Sequence, residues 1–76
     1  LLDLAVEQAR MQERNLFRHK ILSALVGTKY EEMSSQILEF VEGSKGNSPK
    51  VFYTSSLHHF GRSDGVAIYQ ILKNVV

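Results

Sequence analysis

Two adjacent histidines, His58 and His59, stand in the stretch SSLHHFGRSDG (residues 55–65) with Arg62, Asp64 and three serines. Residues of these types can bind a metal, run a serine hydrolysis or hold an anion. A zinc site needs three or four nitrogen, sulfur or oxygen ligands in tetrahedral array. Adjacent histidines point apart in strand and helix alike, and the third histidine, His19, is remote in sequence. One histidine in solvent and the other beside Phe60 is the plainer reading, so no metal site and no cofactor is expected.

Ser55 or Ser56, a histidine and Asp64 supply the residue types of a hydrolytic triad, but a triad is defined by geometry in space. No G-x-S-x-G elbow is present. A chain of 76 residues also has little room for a water-excluding pocket of ~300–1,000 Å³. The expectation is a protein that is not an enzyme, with no catalytic residue.

An anion contact has better physical support. If Ser63 caps a helix, the N–H groups of Asp64, Gly65 and Val66 project from its positive end, beside the planar guanidinium of Arg62. Asp64 opposes an anion there, because a first-turn carboxylate already meets the dipole. Ser63 is read first as an N-cap, with Arg62 and Ser63 as candidate anion contacts. Arg10, Arg14, Arg18 and Lys20 form a second basic set, a candidate row of phosphate contacts. The three arginines, four apart, share a helical face, where like charges repel. Glu7 and Glu13 lie close by and no aromatic interleaves the row, which favours a solvated face. The acidic residues Glu31, Glu32, Glu39 and Glu42 are an alternative partner for the row, in cis or across a dimer.

The elements that must carry these residues are mostly helical. Residues 1–26 contain no glycine or proline, and Leu2, Ala5, Val6 and Ala9 share one face at helical spacing. The stripe fails at Gln12, Glu13 and Arg14, then resumes more broadly at Phe17, Ile21, Leu22, Ala24 and Leu25. A narrow seam of small apolar residues suits pairing with another helix, and a broad stripe suits a globular core. Residues 1–14 are therefore expected to be a helix-pairing extension on a globular part, 15–76, within one long helix or two joined by a bend near Asn15. Gly27 is placed to end the helix. Thr28 and Glu31 then have the spacing of a capping box for a second helix over 29–42, ended by Gly43, with Tyr30, Met33, Ile37, Leu38, Phe40 and Val41 inward.

GSKGNSP (43–49) reads as a loop and KVFYT (50–54), β-branched and aromatic, as a short extended segment. Residues 56–60 suit one helical turn. A final helix is expected from Ser63 to about Lys73, with Val66, Ile68, Tyr69, Ile71, Leu72 and Val75 covering much of its circumference. Such a helix is buried, by its own chain or by a partner. The fold class is mostly α: a long first helix, a capped second helix, one short extended segment and a buried last helix.

Composition narrows the role. Apolar residues make up 43% and the net charge is +1, as in an ordinary globular domain. The charge is segmental: +1 over residues 1–27, −3 over 28–43 and +3 over 44–76. That suits internal complementarity or a protein partner better than the basic stripe of a nucleic-acid binder. There is no cysteine and so no disulfide or thiolate site. An intracellular home, cytoplasmic or nuclear, is expected, and no apolar run reaches the ~18–20 residues of a membrane span. The chain opens without methionine, which suggests a piece of a longer protein.

The function expected is a non-catalytic protein–protein interaction or oligomerisation module, a scaffold element whose partner is a second copy or another chain of one assembly. Leu2, Val6 and Ala9 are the expected seam, and Phe52, Tyr69 and Val76 a second contact. The alternative is a nucleic-acid-binding domain holding phosphates through Arg10, Arg14, Arg18, Lys20 and Arg62. Its last helix, read as a recognition helix, is too apolar to spend on DNA.

Overall fold

The glycine- and proline-free start folds as one unbroken helix, α1 (Leu2–Leu25), in a computed structural model that describes residues 2–75. At 1.5 Å per residue its 24 residues run about 36 Å, which accounts for most of the molecule's 48 Å long axis. Of the two layouts open to residues 1–26, one long helix or two joined near Asn15, the chain adopts the single helix. A turn at Gly27 (φ 82°) leads through a short 3₁₀ segment (Glu31–Met33) to α2 (Ser34–Gly43). A loop precedes α3 (Pro49–Phe60), and a single residue, Gly61, separates α3 from α4 (Arg62–Leu72). Among the described residues there are four α-helices and no strand, so the domain is mostly α. None of the helices is long and apolar enough to cross a membrane.

The segment Lys50–Thr54, expected to be extended, is the first half of α3. Its start signal lies just upstream. Ser48 is the N-cap, its hydroxyl accepting from Val51 N at 3.3 Å, and Pro49 occupies the first turn, where its fixed φ and missing N–H are no handicap. The Thr54 hydroxyl donates to the Lys50 carbonyl at 3.0 Å, so even the β-branched residue is accommodated. Burial of Phe52 against the other helices then outweighs the strand preference of the five residues.

Two caps also differ from expectation. The Thr28 hydroxyl accepts from Tyr30 N at 3.2 Å and donates to the Leu25 carbonyl at 2.7 Å, while a Glu31 carboxylate oxygen accepts from Gly27 N at 2.7 Å. The pair thus staples the α1–α2 turn, and the second helix begins at Ser34 instead of near Lys29. The tighter path sinks the Tyr30 ring into the core at 5% exposure. Helix α4 begins one residue before Ser63, capped by Gly61 with no side-chain cap. Gly61 has φ 90° and ψ 163°, a conformation that side chains other than hydrogen resist, and its carbonyl accepts from Gly65 N at 2.7 Å. A sharp break between two helices needs that residue, which leaves Ser63 exposed in the first turn.

The core joins all four helices: Ile21 and Leu25 from α1, Ile37, Leu38 and Val41 from α2, Phe52 from α3, and Ile68 and Leu72 from α4. Tyr30 fills the turn, and its hydroxyl donates to an Asp64 carboxylate oxygen at 2.9 Å, tying the α1–α2 connection to the start of α4. Burial, the Asp64 hydrogen bond and the Asp64 charge all raise the Tyr30 phenol above its ordinary range. α3 and α4 cross at Ser56 and Gly65. Ser56 is fully buried, and its single hydroxyl proton is shared between the carbonyls of Tyr53 (2.8 Å) and Gly65 (3.2 Å).

Candidate interaction surface

Helix α1 is two things in one rod. From Phe17 onward it packs on the core, with Ile21 and Leu25 fully buried. Residues 3–16 are exposed at every position. The face that carries Phe17, Ile21 and Leu25 continues backwards at helical spacing as Arg14, Arg10, Glu7 and Asp3. The side of the rod that meets the core therefore turns charged where the core ends. The apolar residues of the first half lie elsewhere: Leu4 is 62% exposed, Val6 51%, Met11 55% and Leu16 62%. Val6, Ala9 and Leu16 fall along one strip, continuing the expected seam, with Glu13 the one charge within it.

An isolated helix of this length is marginal in water, because the costly nucleus is offset by few hydrogen bonds. Most helical stability in proteins comes from packing an apolar face, and residues 3–16 pack theirs on nothing within this chain.

Of the residues expected to form a seam, Val6 and Ala9 are exposed, and Leu2 belongs to the same helix. Of the second expected contact, Phe52 and Tyr69 fall within the described residues. Phe52 is buried at 9% exposure and packs beside Phe40 and Tyr69, so it serves this chain's core. Tyr69 is half-buried, edge-on to Tyr53 at 4.8 Å. Val76 lies outside the described residues. Tyr69 and Phe52 meet Phe17 and Val41 in a cleft of about 330 Å³, with Lys45 and Lys73 on its rim. The Lys45 ammonium stands 5.1 Å from the Phe17 ring centre. Sequence reasoning missed this cleft because it is formed by residues of all four helices and the α2–α3 loop, distant from one another in the chain.

The chemically suggestive stretch is distributed over structural tasks. Ser56 is in the helix crossing, and Asp64 accepts from Tyr30 and lies 3.8 Å from the Lys29 ammonium. His58 is exposed, whereas the His59 ring, also exposed, stacks near Phe40 (5.1 Å) and Phe60 (4.7 Å). Among the described residues no cluster of three or more metal-ligating side chains occurs. Arg62 and Ser63 are exposed at the start of α4. Of the basic row, Arg10, Arg14 and Arg18 follow one face of α1, but Lys20 lies about 160° round the helix from Arg18. The structure does not gather the four into one patch. Compared with known protein families, with curated proteins and with solved structures, the chain matches none.

Proposed function

We propose that this chain is a non-catalytic protein–protein interaction or oligomerisation module whose contact surface is the first half of α1. The observation that carries the reading is the exposure of Leu4, Val6, Met11 and Leu16 on a helical stretch with no core of its own. Four large apolar side chains on one short rod gain about 1.5–3 kcal/mol each when fully buried. Val6 and Leu16, on one strip with Ala9, also supply the packed face that a helix of this length needs to persist. Helix α4 contributes less than its sequence suggests, since Ile68 and Leu72 are spent on the internal core. Its remaining offer to a partner is Tyr69, beside the cleft.

A photoreactive amino acid placed at Val6 or Ala9 of the full chain, in cells that express it, tests the reading. Crosslinked protein adducts are expected from both positions and not from Glu32, an exposed residue on the acidic side of the domain. Absence of adducts from Val6 and Ala9 would refute it.

A further inference from the structure

We infer that the partner of the α1 rod is a second copy of this chain, paired antiparallel so that residue i of one copy faces residue 17 − i of the other. The inference rests on the interaction reading above and adds the identity and register of the partner. Its basis is the charged row beside the apolar strip. Asp3, Glu7, Arg10 and Arg14 share one face, with both acids first and both bases last. Within a single helix Asp3 faces Glu7 and Arg10 faces Arg14 as like charges across one turn, and within the row only Glu7 and Arg10 stand at an attractive spacing. Among the described residues the one ion pair within 4.0 Å is Lys29–Asp64, so none of the four charges is engaged in a salt bridge within the chain.

A two-fold axis perpendicular to both rods gives every charge of the row an opposite partner. Such an axis lays each flank of one copy against the same flank of the other. Asp3 then meets Arg14 of the second copy and Glu7 meets Arg10, and the symmetry repeats both pairs. The same axis brings Val6 and Ala9 of the two copies together near the dyad, inside the charged flank. Pairing in parallel would instead set the row against the opposite flank, where Gln8, Gln12 and Asn15 carry no charge, and leave the repulsion in place. In the antiparallel register the paired stretch stops where Phe17 enters each copy's own core, so the two globular parts sit at opposite ends and do not collide.

The purified full chain in dilute salt is the material for the test. Sedimentation over a concentration range is expected to show a monomer–dimer equilibrium. Arg10→Glu with Arg14→Glu turns four attractions into four repulsions and should weaken the dimer about tenfold or more. Reversing all four signs (Asp3→Arg, Glu7→Arg, Arg10→Glu, Arg14→Glu) preserves the complementarity and should restore the dimer, which separates charge matching from damage to the helix. Orientation is read from a spin label at Ser23→Cys, unambiguous in a chain with no other cysteine. The antiparallel register separates the two labels by about 45 Å, whereas parallel pairing brings them within about 15 Å. A monomer at every concentration, a short label distance, or indifference to the charge variants overturns the inference. If the purified chain is monomeric while Val6 crosslinks to a different protein in cells, the interaction reading stands and self-pairing fails. If neither occurs, both fail.

Discussion

Gly65 offers a sharp test of how α3 and α4 are held together. A Cβ at this position would lie 2.6 Å from the Ser56 carbonyl oxygen, 2.7 Å from Leu57 Cα and 2.9 Å from Leu57 N. All three are backbone atoms, so no side chain can swing aside. Carbon–carbon contacts are comfortable at 3.5–4.0 Å, and Gly65→Ala must therefore push the helices about 1 Å apart. Overpacking of this kind costs about 1–3 kcal/mol. Loss of the Ser56–Gly65 hydrogen bond adds up to about 1 kcal/mol, and the better helix propensity of alanine returns about 1 kcal/mol. The net expectation is destabilisation by about 2 kcal/mol. In a domain of this size that lowers Tm by about 8–16 °C. Gly43→Ala is the internal control: Gly43 also lies in a helix, without a positive φ, and nothing stands within 4 Å of its added Cβ. It should be neutral or stabilising by up to about 1 kcal/mol. Thermal unfolding followed by circular dichroism, with urea titration for the free energies, measures both. A Gly65→Ala protein as stable as the native one would refute the close-crossing argument.

Tyr30→Phe removes the hydrogen bond to Asp64 and should cost about 1 kcal/mol at neutral pH. Because the folded-state pKa of Tyr30 is raised, its contribution is complete below the unfolded value near 10 and is lost as pH climbs through the folded value. The native protein should therefore lose stability on alkaline titration more steeply than Tyr30→Phe; parallel curves would contradict this. Ser48→Ala deletes the N-cap of α3 and should destabilise by about 1 kcal/mol, with Ser48→Asp recovering most of it in urea melts. Ile37→Ala opens a cavity in a fully buried site and should cost about 2–5 kcal/mol, enough in so thin a core to broaden or abolish cooperative unfolding.

The helical content was largely legible in the chain. The unbroken run before Gly27, and the inward set Tyr30, Ile37, Leu38 and Val41, follow directly from periodicity and breakers. Lys50–Thr54 was not legible through composition alone, because strand preference in five residues is weak beside a Ser48–Pro49 helix start and the burial of Phe52. The start of α4 was misplaced by one or two residues because Ser63 has the better capping side chain, while Gly61 has the backbone that a one-residue turn requires. The candidate surface divides in the same way. The shared exposed side of Val6 and Ala9 was readable from spacing, but Phe52 could not be assigned to the core until α3 was known to be a helix. That Asp3, Glu7, Arg10 and Arg14 carry the core-facing side of α1 on into solvent needed the knowledge that α1 leaves its own core at Phe17.

Amide hydrogen exchange across residues 6–16 tests the account most directly, because it reads the order of the rod itself. When dilute, the rod has no packed face and its amides should exchange far faster than those of residues 65–72 in α4. Raising the concentration from about 1 μM to about 1 mM, a span that covers weak to moderate association, should protect residues 6–16 progressively and leave residues 65–72 unchanged. Protection of residues 6–16 that does not vary over that span would contradict the claim that a second copy completes this helix.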